Sequence, residues 1–441
     1  MGISGKGTAA LLASQGADMT LFDGNKNYDT QALRKELGLG DDVRIITGEL
    51  KDEDLDGVEI LALSPGVSYF APDIEKAKSR GIRVLGEIEI AYESSKGRIA
   101  AITGTNGKTT TTTLVGDIMK AWEDETFVVG NIGTSYASVA AKTSERSIVV
   151  AEISSFQLES IQDFHPRVSA ILNITPDHLD RHGSFENYAK AKLLIAKNQT
   201  PEEVCVVNYD DEYLRKLSSS LVPKVMFFSR KVILDEGIYL DGGDIILKNG
   251  GKSEKLVSCA DIQLKGVHNI ENVMAAAGVA VSMGVDTAVI AKVIRGFKAV
   301  EHRIEYVCTK KGVEYFNDSK GTNPDAAEKA VSSMTAPTIL IAGGYDKGSD
   351  FTDWIKGFDG KVKLMILIGQ TARKIYDTAL SCGFNDLIMA RDLEEAVKIA
   401  SEKAACGDAV LLSPACASWG QFKNYEQRGT MFKEFARALE D

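Results

Sequence analysis

The sequence predicts an α/β protein of three domains, and three observations carry that reading. Short apolar runs recur along the chain, each ending in a polar or glycine turn and most followed by a helical stretch, the pattern of parallel strands covered on both faces. The length of 441 residues accommodates two or three separate cores. One run, residues 100–103, leads through Gly104, Thr105, Asn106 and Gly107 into Lys108, Thr109 and Thr110. That is strand, tight turn and helix start, where backbone N–H groups and the helix dipole favour a phosphate.

Composition narrows the function classes. The hydrophobic fraction of 44% and charged fraction of 26% are those of a globular protein. A formal net charge of −11 argues against general attraction to nucleic acid or to an anionic membrane. Six scattered cysteines without a Cys-x-x-Cys pair argue against a zinc site or a disulfide framework. No apolar run reaches membrane-span length and no signal peptide opens the chain, so a reducing, cytoplasmic setting is expected.

The first domain, residues 1–94, reads as Rossmann-like. Gly2, Ile3, Ser4, Gly5 and Gly7 form the glycine turn of a nucleotide-binding unit, residues 8–15 its helix, and residues 19–23 a strand ending in Asp23. An acid there meets a ribose or base in such folds, or is simply a turn residue. Residues 60–63 are a strand leading into Ser64, Pro65 and Gly66, and residues 84–86 close the unit. The strand expected before the glycines is absent, so this sheet lacks its normally central first strand and is expected to be less stable.

After a Ser-Ser-Lys-Gly linker at 94–97, the central domain runs over residues 95–298. Its phosphate turn is a P-loop variant in which Ile102 stands where the first glycine is expected; Lys108 would reach the outer phosphates and Thr109 ligate magnesium. Residues 127–130 are a strand followed by a turn with Asn131. Residues 147–153 form an apolar strand with one carboxylate, Glu152, read either as a magnesium ligand or as an ordinary strand-end acid. The strand at 168–174 delivers His178, a site candidate, and His182, expected to be solvated. Lys190, Lys192 and Lys197 lie on a predicted helix, where a solvated charge is the default. Residues 203–255 turn β-rich, with hairpins at Gly242-Gly243 and Gly250-Gly251, and Asn272 sits at the start of a small-residue helix.

The third domain, residues 299–441, begins with a hairpin-like segment and continues with strands at 338–342, 362–368 and 409–412 separated by helical pattern, another Rossmann-like sheet.

Taken together, the turn 104–110 and residues 152–157, 302–305, 317–323, 413–418 and 421–429 resemble the Mur ligases, ATP-dependent amino-acid ligases of peptidoglycan precursor synthesis. Within that family they look like the members that join D-glutamate to UDP-N-acetylmuramoyl-L-alanine (UDP-MurNAc-L-Ala). The resemblance implies ATP, two magnesium ions and an acyl-phosphate intermediate. Metal contacts would come from Thr109, Glu152, His178 and a carbamylated Lys192. It puts ATP on residues 104–110, Asn272, Arg303 and Asp318, and the uridine substrate on Ile3, Ser4, Asp23, Ser64, Gly66 and Asn131. D-Glutamate falls to Lys320, Thr322, Lys347, Ser418 and Tyr425; Lys108, His178, Lys192 and Lys320 would be catalytic. It implies a monomer whose third domain closes over the second. Alternatives are a sister ligase adding another amino acid, folylpolyglutamate synthase, a P-loop NTPase switch and, least, a dinucleotide-binding oxidoreductase.

Overall fold

The computed structural model describes residues 1–131, 134–175, 178–264, 266–298, 301–346 and 349–440, without the side chains of Leu179, Asp180 and Asp325. They form two compact units, residues 1–262 with 270–296, and residues 263–269 with 297–441.

The first unit opens with β1 (Thr20–Asp23) paired in parallel to β2 (Arg44–Thr47), and β3 (Ile60–Leu63) paired in parallel to β4 (Arg83–Gly86). No described strand is hydrogen-bonded between the two pairs. The glycine turn differs from expectation. A helix already begins at Ile3 and runs to Ser14, so Gly5 and Gly7 are helical and only Gly2 is extended. Their lack of a side chain serves packing instead: a Cβ on Gly7 would collide with the Ser135 hydroxyl, and one on Gly5 with Met1.

Two buried carboxylates on the helix Glu87–Glu93 tie this part to the next. Glu89 accepts the backbone N–H groups of Gln162 (2.8 Å), Asp163 (2.7 Å) and Phe164 (3.1 Å), and Glu87 accepts that of Ala137 (2.8 Å).

The large sheet contains β5 (Arg98–Thr103), β6 (Thr126–Gly130), β7 (Ile148–Glu152), β8 (Val168–Ile171) and β9 (Val204–Asn208). It continues with β10 (Lys224–Ser229), β11 (Gly237–Asp241), β12 (Asp244–Asn249) and β13 (Lys252–Ser258). The order is β13-β12-β11-β10-β9-β8-β5-β7-β6, parallel from β6 as far as β11. Every residue of β7 and β8 is buried, which is why they read as unbroken apolar runs. The β11–β12 and β12–β13 hairpins turn on the expected glycine pairs, Gly242 and Gly243 (φ 54° and 87°) and Gly250 and Gly251 (φ 58° and 76°). Both residues of each pair lie in the left-handed region that two-residue hairpins demand.

The second unit holds β14 (Glu305–Lys310), β15 (Val313–Asn317), β16 (Thr338–Ala342), β17 (Val362–Leu367), β18 (Leu387–Met389) and β19 (Ala409–Leu412). Their order is β14-β15-β19-β16-β17-β18, with only the β14–β15 edge antiparallel. The loops after β15, β16 and β19 therefore leave the same end of adjacent strands, where such sheets bind ligands. Among the described residues, no helix is long and apolar enough to cross a membrane.

Candidate active site

The phosphate turn is built by backbone that only glycine accepts easily. Gly104 (φ 152°) and Gly107 (φ 82°) both lie at positive φ. A Cβ on Gly104 would press on Leu172, and one on Gly107 would collide with the Asn272 amide. The turn is fastened to the loop after β8. Asn106 N donates to Asn173 Oδ1 (2.8 Å), and Asn173 Nδ2 donates back to Asn106 O (3.0 Å). Thr105 Oγ1 donates to Thr175 O (3.1 Å) and lies 3.0 Å from the Tyr188 hydroxyl. The helix Lys108–Trp122 starts directly after Gly107, with Thr109 and Thr110 buried in its first turn.

Two lysines converge on this turn. Lys108 Nζ donates to Gly104 O and Thr105 O, both at 2.9 Å. Lys192, read from sequence as a surface charge by default, is 1% exposed and donates to the same Gly104 O at 2.8 Å. Two ammonium groups on one carbonyl repel each other, so this is a strong local concentration of positive charge in an acidic protein.

Beside it, at the end of β7, Glu152 is buried. Its Oε1 accepts from Asn131 Nδ2 at 3.0 Å, while among the described residues Oε2 has no hydrogen-bond partner. A buried carboxylate oxygen left unpaired is costly, and a hard cation is the natural partner for it. The donor set fits magnesium: Glu152 Oε2, with Thr109 at the start of the adjacent helix. Asn131, expected on the uridine substrate, is engaged with Glu152.

The loop after β8 carries His178 (φ 51°), exposed, its ring edge-on to Phe156 at 4.8 Å. His182 corrects the sequence reading, being 8% exposed rather than solvated. Its Nε2 lies 3.0 Å from Ser155 Oγ, its Nδ1 3.2 Å from Glu159 Oε1, and its ring stacks on Phe156. Burial, only partly offset by Glu159, lowers its pKa, so at neutral pH it is a neutral packing group. Arg181, which sequence reasoning passed over, lies 3.9 Å above the Phe156 ring and pairs with Glu159 at 2.9 Å. It also donates to Pro65 O (3.1 Å) and Val67 O (3.2 Å). The loop holding Ser64 and Gly66 is thereby fixed to the helix that follows His178. A cavity lies there, lined in part by Ser64, Pro65, Glu87 and Phe156. Asp23 accepts from the Met1 amine and Asn25 N; Ile3 is exposed and Ser4 half-buried.

In the second unit, Asp318 is buried and accepts from Ser413 Oγ at 2.7 Å. Burial pushes its carboxyl up to about 7 despite that bond and the Arg303 charge. Arg303 sits between two left-handed residues, His302 (φ 64°) and Ile304 (φ 46°), a costly conformation for a β-branched side chain. The turn is held by Glu305, which accepts from His302 N (2.9 Å), and by Asn317, whose Nδ2 reaches His302 Nδ1 (2.9 Å) and Glu305 Oε2 (3.0 Å). Lys320 lies over the Tyr425 ring at 5.7 Å, Thr322 is half-buried and Ser418 is buried. Lys347 lies outside the described residues. Arg428, also not singled out from sequence, is fully buried among these loops.

A glycine-lined turn, a lysine at a helix start and a buried strand-end acid on a parallel sheet define a nucleotide-phosphate-handling enzyme of the P-loop type. Comparison with known proteins narrows the class. Models of the Mur ligase MurD-like N-terminal domain, the Mur ligase middle domain and the Mur ligase glutamate ligase domain match residues 1–86, 102–280 and 302–416. The chain belongs to the Mur ligase family. The UDP-N-acetylmuramoylalanine--D-glutamate ligase of Lachnospira eligens is 51% identical over 438 residues, 99% of this chain and 97% of that protein. The protein of the same name from Clostridioides difficile is 45% identical, over 98% of this chain and 95% of its own. Among solved structures, UDP-N-acetylmuramate-alanine ligase from Thermotoga maritima matches with a TM-score of 0.61 at 19% identity, covering 99% of this chain and 98% of its own. The MurF ligase of that organism in complex with ADP matches at 0.59 and 18% identity, covering 88% and 99%. At such identities these two establish the shared fold.

Proposed function

We propose that this protein joins D-glutamate to UDP-N-acetylmuramoyl-L-alanine at the expense of ATP, forming ADP and phosphate. The observation that carries the reading is the 51% identity to a ligase of that name over nearly the full length of both chains. The phosphate turn, with Lys108 and Lys192 converging on it, supports the ATP-dependent half.

A substrate carboxylate oxygen attacks the γ-phosphorus, ADP leaves, and an acyl phosphate results. The D-glutamate ammonium gives up one proton to solvent, and the free amine then attacks the carbonyl carbon, losing a second N–H proton as the amide forms. The tetrahedral adduct collapses by breaking the C–O bond, and phosphate departs with that electron pair. For the first step this chain supplies the N–H groups of residues 104–110 and the Lys108 ammonium, which turns from the Gly104 and Thr105 carbonyls to the phosphoryl oxygens. Thr109 and Glu152 hold one magnesium and His178 with Lys192 a second; when bound, these ions supply positive charge to the transferring phosphoryl group. Lys192 acts as a carbamate, formed when its neutral amine adds CO2 and releases a proton, which relieves its repulsion with Lys108 and offers oxygens in place of hydrogens. Asn131 orients Glu152. Asn272 borders the adenine, while Arg303 and Asp318 take the ribose and phosphates. Ile3, Ser4, Asp23, Ser64 and Gly66 bind the uridine nucleotide. Lys320, Thr322, Lys347, Ser418 and the backbone at Tyr425 receive the two D-glutamate carboxylates. The enzyme works as a cytoplasmic monomer.

The test is phosphate release from ATP with each substrate omitted in turn. Release that needs both UDP-MurNAc-L-Ala and D-glutamate is expected. Release indifferent to the amino acid would favour a nucleotide switch, and preference for another amino acid a sister ligase.

A further inference from the structure

We propose that Arg428 is a positioning residue for the incoming amino acid, locking the loops that receive it into one cradle. The inference rests on the reading of this unit as the D-glutamate-binding one. Arg428 is 0% exposed, and its fork is spent on neutral oxygens. Nε donates to Ser319 Oγ (3.0 Å), Nη2 to Ser319 O (2.8 Å) and Nη1 to Cys416 O (3.1 Å). Ser319 Oγ passes the link on, donating to Tyr425 O at 2.8 Å.

A single guanidinium thus joins the loop holding Lys320 and Thr322, the loop holding Ser418, and the first turn of the helix Tyr425–Ala438. A fourth loop is shaped around it. Gly344 (φ 154°) has no room for a Cβ, which would meet Ala417 O and approach Arg428 Nη1. That glycine stands three residues before Lys347. Every expected D-glutamate contact among the described residues is therefore on, or next to, a segment that packs against Arg428.

The choice of arginine has a physical reason. Burying a cation is costly; burial brings this guanidinium down to about 10 although the Asp318 charge acts the other way, and it is still charged at neutral pH. The retained charge favours a dianionic ligand over the cradle. Lysine has three donors on a point and cannot reproduce a planar fork that bridges two backbone carbonyls and a hydroxyl.

The test uses the full-length enzyme, with KM measured for each of the three substrates. Arg428→Lys keeps the charge and loses the fork, and is expected to raise KM for D-glutamate about tenfold or more. KM for the uridine substrate should stay within about twofold of wild type, and KM for ATP, whose proposed contact Asp318 adjoins Ser319, should rise less than that for D-glutamate. Ser319→Ala cuts the link to Tyr425 without touching the charge and is expected to shift the same KM most; it decides the matter if Arg428→Lys does not fold. Unchanged KM for D-glutamate in folded variants, or an equal rise for all three substrates, would overturn the proposal. Wild-type phosphate release indifferent to D-glutamate would instead remove the parent reading, and this inference with it.

Discussion

Replacing Glu152 by glutamine should make the protein more stable and nearly inactive. The Oε1 partner, Asn131 Nδ2 at 3.0 Å, is retained, because a glutamine carbonyl accepts the same bond. What is lost is the charge and the unpartnered Oε2 beside it. Leaving a buried polar atom unsatisfied costs about 1–3 kcal/mol, more for a charged one. The glutamine NH2 inherits part of that penalty, so the net gain without magnesium is put at ~1–2 kcal/mol. For a unit of this size that is a rise in melting temperature of roughly 2–3 °C. Magnesium should raise the wild-type melting temperature by mass action and leave the variant unmoved. Turnover should fall at least ~100-fold, the usual effect of removing one preorganised charge contact to the transition state. Thermal unfolding with and without magnesium, paired with phosphate release, reads both effects. A destabilised variant that keeps its activity would show that Glu152 is a structural acid and that the cation assignment is wrong.

Two further outcomes follow from burial. Lys192→Ala should abolish turnover, and wild-type enzyme supplied with 13C-bicarbonate should show a carbamate carbon resonance that the variant lacks; near-normal activity would remove the carbamate. Asp318 has its folded pKa raised from 3.8 to about 7, so the folded state binds more protons between these values. Its contribution to stability is then fullest below the unfolded pKa and falls as pH rises to about 7, by an amount on the order of 4 kcal/mol. Asp318→Asn should flatten that slope, and parallel pH–stability curves for the two proteins would contradict the assignment.

Much of the fold was legible because buried parallel strands leave a simple trace. The runs at 147–153 and 338–342 are apolar but for Ser147, Glu152 and Thr338 and are buried throughout, and the glycine pairs at 242–243 and 250–251 fix two hairpins by backbone sterics alone. Residues 5–7 misled because glycine serves two purposes: a turn needs its dihedral freedom, whereas Gly7 is there for want of a Cβ against Ser135. The site was legible where spacing encodes geometry, as from Gly104 to Thr109. It was not where a polar side chain is buried by elements far away in sequence. His182 is covered by Phe156 and Glu159, Lys192 by the phosphate turn itself, and Arg428 by a loop more than a hundred residues upstream together with the nearer one at Cys416. Nothing local distinguishes those from solvated charges. The one available hint was their position in or beside motifs at strand ends, and it singles out a segment rather than a residue.

The central claim is that Lys108 and the turn around it deliver phosphoryl from ATP to the substrate carboxylate. Its most direct test is incorporation of labelled D-glutamate into UDP-MurNAc-L-Ala by Lys108→Ala enzyme whose unfolding matches wild type. The account predicts no product above background. Product formed at a wild-type rate would contradict it.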